Sequence, residues 1–484
     1  MAIKKKERVE KIVFKWKKFL KHLIIRRKDD CALGVISALA TFLYEWNQEY
    51  VDIELENSLD LIAQRNLHPS YNKNQCNNDT VLYYDSFGYD NRGLTIIYLK
   101  SLCELGYKVI YVCPERQEQP VLENAIKDYG VIWRFVPPKN TLDKAYRITD
   151  LFNEWKPSCA FLYALPGDSA AVAAFNVFKN VIIRFQINLT DHAFWLGINA
   201  FDYCIEFRNY GATVSYKYRN IVKSNIVLLP YYPYVDKTIP FEGFSQKFEG
   251  KKVIFSGGAV KKTIGDKDHL YCKMVSNILQ ENSDVAFLYA GSGSDTTELD
   301  DLISQFSSRA ERIPERKDLY QVLKHCTLYL NTYPYLGGLM TQYSAIAGKL
   351  PITLCKGDNN LAGLIYNREI LKVEFSDINQ LIVEVNHILS DEKYRELKES
   401  NLADSVISEE TFSTELKNVI ESHMTDFVIS TEEQIDLLNF RNQYERSFNI
   451  KDQINWAIST YKINACVFPL DFVRLCVRKL LKMS

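Results

Sequence analysis

One stretch constrains the fold more than any other: Leu328 to Leu354, LYLNTYPYLGGLMTQYSAIAGKLPITL. Leu328 to Leu330 close a short apolar strand, and Asn331 to Gly338 form a loop ending in paired glycines. Met340 to Ala347 have helical character, Gly348 to Leu350 make a tight exit, and Pro351 to Leu354 open the next strand. Strand, loop, small-residue helix and strand in that order make one unit of a parallel sheet. Gly337 and Gly338 let the backbone turn sharply and approach a ligand closely. The helix behind them offers unpaired N–H groups and a partial positive charge. Thr341 adds a hydroxyl, with Gln342 next to it and Tyr335 in the aromatic loop before it. A diphosphate fits such a place. The plainer reading is a loop whose glycines serve only the turn.

The same alternation runs through most of the chain. Val81 to Asp85 is a strand, Leu94 to Leu105 an amphipathic helix and Lys108 to Cys113 a strand. The loop between the first two carries Asn91, Arg92 and Gly93 at the C-terminal end of a strand, where open α/β sheets bind ligands. Further strands are expected at Val131–Val136, Cys159–Tyr163, Val181–Gln186, Phe201–Phe207 and Asn225–Leu229. YYPYVDKTIPFEGFSQKFEG has proline, glycine and aromatics without periodicity, as a linker does. A second series starts with the strand Lys252–Phe255, followed by SGGAVKKTIGDKD. Gly257 and Gly258 there suit close backbone approach, and Lys261 or Lys262 supplies positive charge. The alternative is a surface lysine pair. The reading is α/β: a helical extension over 1–76 with a basic amphipathic start, Rossmann-like domains over 77–235 and 250–424, and C-terminal helices over 425–484.

Charge narrows the partners. The net charge of −1 gives no overall field for nucleic acid. Residues 1–30 nevertheless hold twelve basic and four acidic side chains, a local charge of +8. Val9, Ile12, Val13, Trp16, Phe19, Leu20, Leu23 and Ile24 recur there at helical spacing. The C-terminal FPLDFVRLCVRKLLK is again apolar and basic. Such helices lie on anionic membrane surfaces, or the two ends pack on the protein body and on each other. The eleven cysteines are scattered without a Cys-x-x-Cys pair, which argues against a zinc site and for a reducing, cytoplasmic compartment. No cleavable signal and no run of about 20 apolar residues is visible.

A second informative stretch is INLTDHAFWLG, Ile187 to Gly197, directly after a strand. It places Asp191 and His192 side by side ahead of a Phe–Trp pair. A histidine titrates near neutral pH and suits proton removal from a hydroxyl, with a carboxylate to orient it. A partly buried structural histidine beside aromatics is the alternative. Arg208 and Tyr210 follow the next strand and line the cleft or the surface.

TYPYLGGLMTQYSAIAGKLPIT resembles the donor-site segment of glycosyltransferases with two Rossmann-like domains, the GT-B fold, and most resembles the O-linked N-acetylglucosamine transferase-like branch. DHAFWLG resembles the histidine loop in the acceptor half of bacterial members, with Asp191, His192, Phe194, Trp195 and Gly197 at matching places. The resemblance implies a metal-independent enzyme without cofactor that uses a nucleotide-sugar, UDP-linked, as co-substrate. It places Gly257, Gly258, Lys261, Lys262, Tyr335, Gly337, Gly338, Thr341 and Gln342 at the donor, and Arg316 and Tyr320 near the nucleotide base. Asp358, Asn359 and Asn360 fall on another loop at a strand end, near base or ribose. His192 or Asp191 is the base; in one version His192 instead binds the diphosphate and Asp191 is the base. Where retaining enzymes carry two glutamates this chain has Leu336 and Ser344, which implies inversion. The acceptor implied is a saccharide or lipid-linked saccharide, in cell-surface polysaccharide synthesis at the inner membrane face. Rival readings are a protein glycosyltransferase, a non-catalytic GT-B subunit that stabilises a partner, and a sugar-nucleotide epimerase.

Overall fold

The computed structural model describes residues 2–88, 94–114, 118–264, 266–293, 296–356, 364–366, 368–402 and 404–481. Asn91, Arg92, Gly93, Asp358, Asn359 and Asn360 lie outside these. Three helices come first: α1 (Ala2–Ile25), α2 (Asp29–Trp46) and α3 (Ile53–Asn66). A run of alternating elements follows: β1 (Asn77–Asp85), α4 (Thr95–Glu104), β2 (Lys108–Cys113), α5 (Pro120–Ile126), β3 (Ile132–Phe135), α6 (Thr141–Trp155) and β4 (Pro157–Tyr163). It continues with α7 (Ser169–Asn176), β5 (Ile183–Ile187), β6 (Tyr203–Glu206), α8 (Asn209–Tyr218) and β7 (Ile226–Leu228). These seven strands form one parallel sheet in the order β3-β2-β1-β4-β5-β6-β7.

The second series is β8 (Lys252–Gly257), α9 (Leu270–Glu281), β9 (Val285–Ala290), α10 (Thr297–Gln305), β10 (Ala310–Ile313), α11 (Leu319–His325) and β11 (Leu328–Leu330). Then come α12 (Gly338–Ile346), β12 (Pro351–Leu354), α13 (Arg368–Leu371), β13 (Glu374–Phe375), α14 (Ile378–Ser390) and α15 (Glu392–Glu399). Its six strands are parallel in the order β10-β9-β8-β11-β12-β13. Both sheets carry helices on both faces, so their central strands are apolar at nearly every position. In β1 the last six residues are all buried. The strand order reverses between β1 and β4 and between β8 and β11. Ligands bind in open α/β sheets at such reversals, beyond the carboxyl ends of the strands.

The last helices are α16 (Glu409–Ser422), α17 (Leu437–Ser447), α18 (Ile450–Thr460) and α19 (Pro469–Leu481). Two of their features differ from expectation. Phe412, Leu416 and Val419 of α16 join the core of the first sheet, with Phe412 edge-on to Tyr98 at 5.1 Å. α16, inside the stretch 250–424 read as the second domain, therefore packs on the first sheet. Residues 425–436 are not helical; they run along the first domain, where Thr425 Oγ1 donates to the Leu228 carbonyl at 2.7 Å and Asn209 Oδ1 accepts from Ser430 N at 3.0 Å.

The N-terminal helices are cemented to this body. α2 is apolar almost all round because it is covered on several sides, by α1, α6 and α7. Val9, Ile12, Trp16, Leu20 and Leu23 of α1 are all buried. Trp16 Nε1 donates to Asn464 Oδ1 at 2.6 Å, and its ring lies edge-on to Phe42 at 5.1 Å and Phe468 at 5.0 Å. The apolar stripe of α1 thus faces the protein, not a lipid surface, and the two chain ends pack together. Among the described residues no helix is long and apolar enough to cross a membrane.

Candidate active site

The loop after β5 presents Asp191 and His192. Asp191 is fully buried. Arg208, just beyond β6, grips it with two bonds, Nε to Oδ2 at 2.6 Å and Nη2 to Oδ1 at 3.0 Å. Burial alone would raise the Asp191 carboxyl, but Arg208 and His192 outweigh it and hold its pKa at about 2. His192 Nδ1 lies 3.2 Å from Asp191 Oδ1. A carboxylate there accepts the Nδ1 proton and leaves Nε2 as the basic nitrogen. The His192 side chain is 32% exposed, so it alone of the three opens outward.

Three further residues, invisible to motif reading, fix this loop. Arg219 is buried and donates to the carbonyls of Thr190 at 3.3 Å, Asp191 at 3.1 Å and Ala193 at 2.5 Å. Its guanidinium lies over Trp195 at 4.9 Å and Tyr50 at 5.1 Å. Asn47, ending α2 with φ +45°, donates to the His192 carbonyl at 3.0 Å and accepts from Phe194 N at 3.1 Å. Glu56 of α3 accepts from Gly197 N at 2.8 Å, and burial pushes its carboxyl up to about 7. Asn47 carries the one signal available beforehand, because asparagine after an apolar helix is a helix stop.

Across the cleft the loops expected at the donor sit at the second reversal. Gly258 has φ +139°, and a side-chain carbon at Gly291 would collide with its carbonyl. That close approach of two backbones needs glycine. Lys261 is exposed. The Lys262 carbonyl accepts from Tyr335 N at 3.3 Å, which brings the lysine loop to the aromatic loop. The buried Asn331 organises the latter: its Oδ1 accepts from Thr332 N and Gly337 N, both at 2.9 Å, and its Nδ2 donates to Thr341 Oγ1 at 3.1 Å.

Several residues expected at the ligand have other partners. Thr341 is fully buried and its hydroxyl donates to the Gly337 carbonyl at 3.0 Å, so it braces the helix start from inside. Gln342 is buried and donates to the carbonyls of Tyr231 at 3.0 Å and Leu364 at 3.1 Å, tying α12 to the linker. Gly337 and Gly338 do not have positive φ; any side chain there would crowd Asn331, Tyr329 and Met340, or Leu364. Arg316 is held by Asp318 at 2.7 Å and by the Gly243 carbonyl at 2.8 Å, which anchors the linker. Tyr320 is half-buried under Lys237, 5.8 Å from its ring. Arg208, expected at the acceptor or the cleft, is buried and spends Nε and Nη2 on Asp191. Asp191 itself, paired and without exposed surface, is not placed to take a proton from an acceptor.

The two sides meet. Burial pushes the Glu45 carboxyl of α2 up, and the Lys261 ammonium across the cleft pulls it part of the way back. Phe440 and Tyr444 of α17 lie 6.0 and 6.5 Å from the His192 ring. Tyr444 also senses Tyr44, Tyr335 and Glu45. One cleft is therefore bounded by α2, the His192 loop, α17 and the donor loops.

No protein-family profile matches the sequence, and no curated protein matches it. Solved structures match in fold. An O-GlcNAc transferase of Thermobaculum terrenum aligns over 89% of this chain and 82% of its own, at 14% identity and TM-score 0.52. TarM aligns over 71% and 99%, at 8% identity and TM-score 0.52. Alr3699/HepE of Anabaena, solved with UDP and glucose, aligns over 71% and 99%, at 10% identity and TM-score 0.50. These likenesses establish an α/β fold of two domains that GT-B glycosyltransferases share.

Proposed function

We propose that this chain is a glycosyltransferase that moves a sugar from a UDP-sugar to a saccharide hydroxyl with inversion, without a metal or other cofactor. The observation that carries the reading is the Arg208–Asp191–His192 series, which leaves one basic nitrogen on the single member of the three with exposed side-chain surface. His192 Nε2 takes the acceptor proton as the new oxygen–C1 bond forms. The bond between C1 and the diphosphate breaks, and its electron pair leaves on the diphosphate. Lys261 and the positive end of α12, which begins at Gly338, stabilise the charge that develops there. Asp191 keeps the imidazole in one tautomer and Arg208 keeps Asp191 ionised. Leu336 and Ser344 leave the loop without the glutamates of retaining enzymes, which supports inversion. The UDP and glucose bound to Alr3699/HepE support the donor class.

Calorimetry with UDP-, GDP-, CMP- and TDP-sugars tests the donor. UDP-sugars alone should bind, and Lys261→Ala should weaken them. Binding of no nucleotide by folded protein would sink the reading in favour of a non-catalytic subunit.

The reading extends to lipid-linked acceptors in cell-surface polysaccharide synthesis at the inner membrane face, and the support comes from α19. Leu470, Val473, Val477, Leu480 and Leu481 are 72, 56, 48, 67 and 70% exposed, share one side of that helix, and are flanked by Arg474 and Arg478. An apolar stripe edged by arginine suits an anionic bilayer. Vesicles containing phosphatidylglycerol should float the protein and phosphatidylcholine vesicles should not. Val473→Ser with Val477→Ser should abolish flotation; unchanged flotation would remove α19 from the contact.

A further inference from the structure

A cavity of 270 Å³ lies beyond the carboxyl ends of β1, β2 and β4, at the reversal of the first sheet. None of the donor residues touches it, and neither does His192. Thr41, Ser86, Gln119, Lys144, Asp168 and Trp456 line it, drawn from α2, the loops after the strands, α6 and α18. One wall is closely packed. The loop after β4 presses on α2 so closely that a side chain at Gly167 would collide with Thr41 and the Ser37 carbonyl. Asp168 is buried, caps α7 through Ala171 N at 3.2 Å, and accepts Lys144 Nζ at 2.9 Å and the Tyr84 hydroxyl at 2.6 Å.

The chemistry of this lining specifies a ligand class. The volume falls below the ~300–1,000 Å³ of sites for drug-sized molecules, enough for one ring but not for a nucleotide. The lining carboxylates are both paired: Asp168 with Lys144, and Asp85 with Phe87 N, Gly88 N and the hydroxyls of Thr95 and Tyr111. Among the described lining residues the one ammonium is thus taken by Asp168 and the Asp85 oxygens by donors of the protein, so no charged group is left over to recruit an ionic guest, which favours a neutral one. Hydroxyl, carboxamide and ion-pair groups surround it, and Trp456 adds an aromatic face that is 38% exposed. Hydroxyl and carboxamide groups together with an aromatic ring suit a pyranose, whose hydroxyls take hydrogen bonds and whose C–H faces pack on an aromatic surface.

Position ties the cavity to the cleft. Thr41 and Glu45 lie four residues apart on α2, hence on one face and about 6 Å along the axis. Glu45 is the residue that senses Lys261. We infer that this cavity binds a neutral pyranose ring of the acceptor, adjacent to the ring that bears the reacting hydroxyl. The inference rests on the glycosyltransferase reading above and adds an acceptor subsite built jointly by the N-terminal helices and α18.

The test uses the full chain carrying 5-fluorotryptophan at its six tryptophans, with the Trp456 signal assigned by Trp456→Phe. Methyl glycosides of glucose, galactose and N-acetylglucosamine and their β-linked disaccharides are titrated and followed by fluorine NMR, with UDP added separately. At least one sugar should move the Trp456 resonance saturably, and Thr41→Val should weaken that binding at least tenfold while leaving UDP affinity unchanged. If UDP binds and no sugar moves Trp456, the subsite is overturned and the donor reading survives. Binding of neither overturns both. A sugar response without UDP binding keeps the subsite and removes the transfer reaction.

Discussion

On the first-domain side of the cleft, the His192 loop is gripped by Arg219, Asn47 and Glu56, and its carboxylate is sealed under Arg208. On the side of the loops expected at the donor, Asn331, Thr341 and Gln342 brace the aromatic loop and α12 from inside, while Lys261 stands in solvent on a loop that meets them through the bond from Tyr335 N to the Lys262 carbonyl. The first side is organised before any ligand arrives, as the proposed proton acceptor must be if its geometry is to serve a transition state. The second leaves its positive charge exposed, as suits the proposed diphosphate, which brings its own charge. A pinned loop fails by losing orientation or stability; an exposed lysine fails only by losing affinity.

Four changes break or sharpen that contrast. The largest effect belongs to His192→Ala: loss of the general base lowers transfer by about 10²–10⁴-fold, with UDP affinity and melting temperature unchanged. Activity within threefold of wild type would move the base elsewhere. Next is Arg208→Met, which strands the Asp191 carboxylate in the interior and destabilises the domain by ~3–5 kcal/mol. Denaturant titration should show that loss, and adding Asp191→Asn to the same chain should recover much of it.

Third is the pH response of Glu56. Its carboxyl is raised from 4.5 to about 7, so the folded state binds the proton more tightly than the unfolded one. The favourable contribution is complete below pH 4.5 and is lost as pH rises through 7. Glu56→Gln imitates the protonated form. It should match wild type at pH 4.5 and exceed it by ~3 kcal/mol at pH 8. Asp191 has the opposite sign: with a pKa of about 2 against 3.8, its contribution is present above pH 4 and fades as pH falls through 2. The smallest effect is Lys261→Ala. It should weaken UDP-sugar binding by ~3–10-fold, roughly 1 kcal/mol, with no change in melting temperature and a flatter salt dependence. A large drop in stability would show that Lys261 is structural after all.

The alternation of apolar runs and helices, read residue by residue, was enough to indicate two parallel sheets, because buried parallel strands are apolar throughout and their crossovers are amphipathic. The prominence of the His192 loop and of the Gly258 turn was also legible, since both rest on local residue types. Thr341, Gln342 and Arg316 show where such reading stops. Each is polar and sits beside a glycine-rich or cleft-facing segment, yet each is occupied by a partner within the protein.

The sequence by itself determined the periodicities, the turns and the amphipathic stripe of α1, because these depend on residues within a few positions of one another. Tertiary structure alone decided what covers that stripe, which is Phe42 and Phe468. It also decided that Asn47 holds a loop 145 residues away, that Arg208 belongs to Asp191, and that α2 walls a cavity of the first sheet. Hydrogen bonds and packing select partners by position in space. A chain that folds back on itself brings together side chains whose separation in sequence carries no local signal.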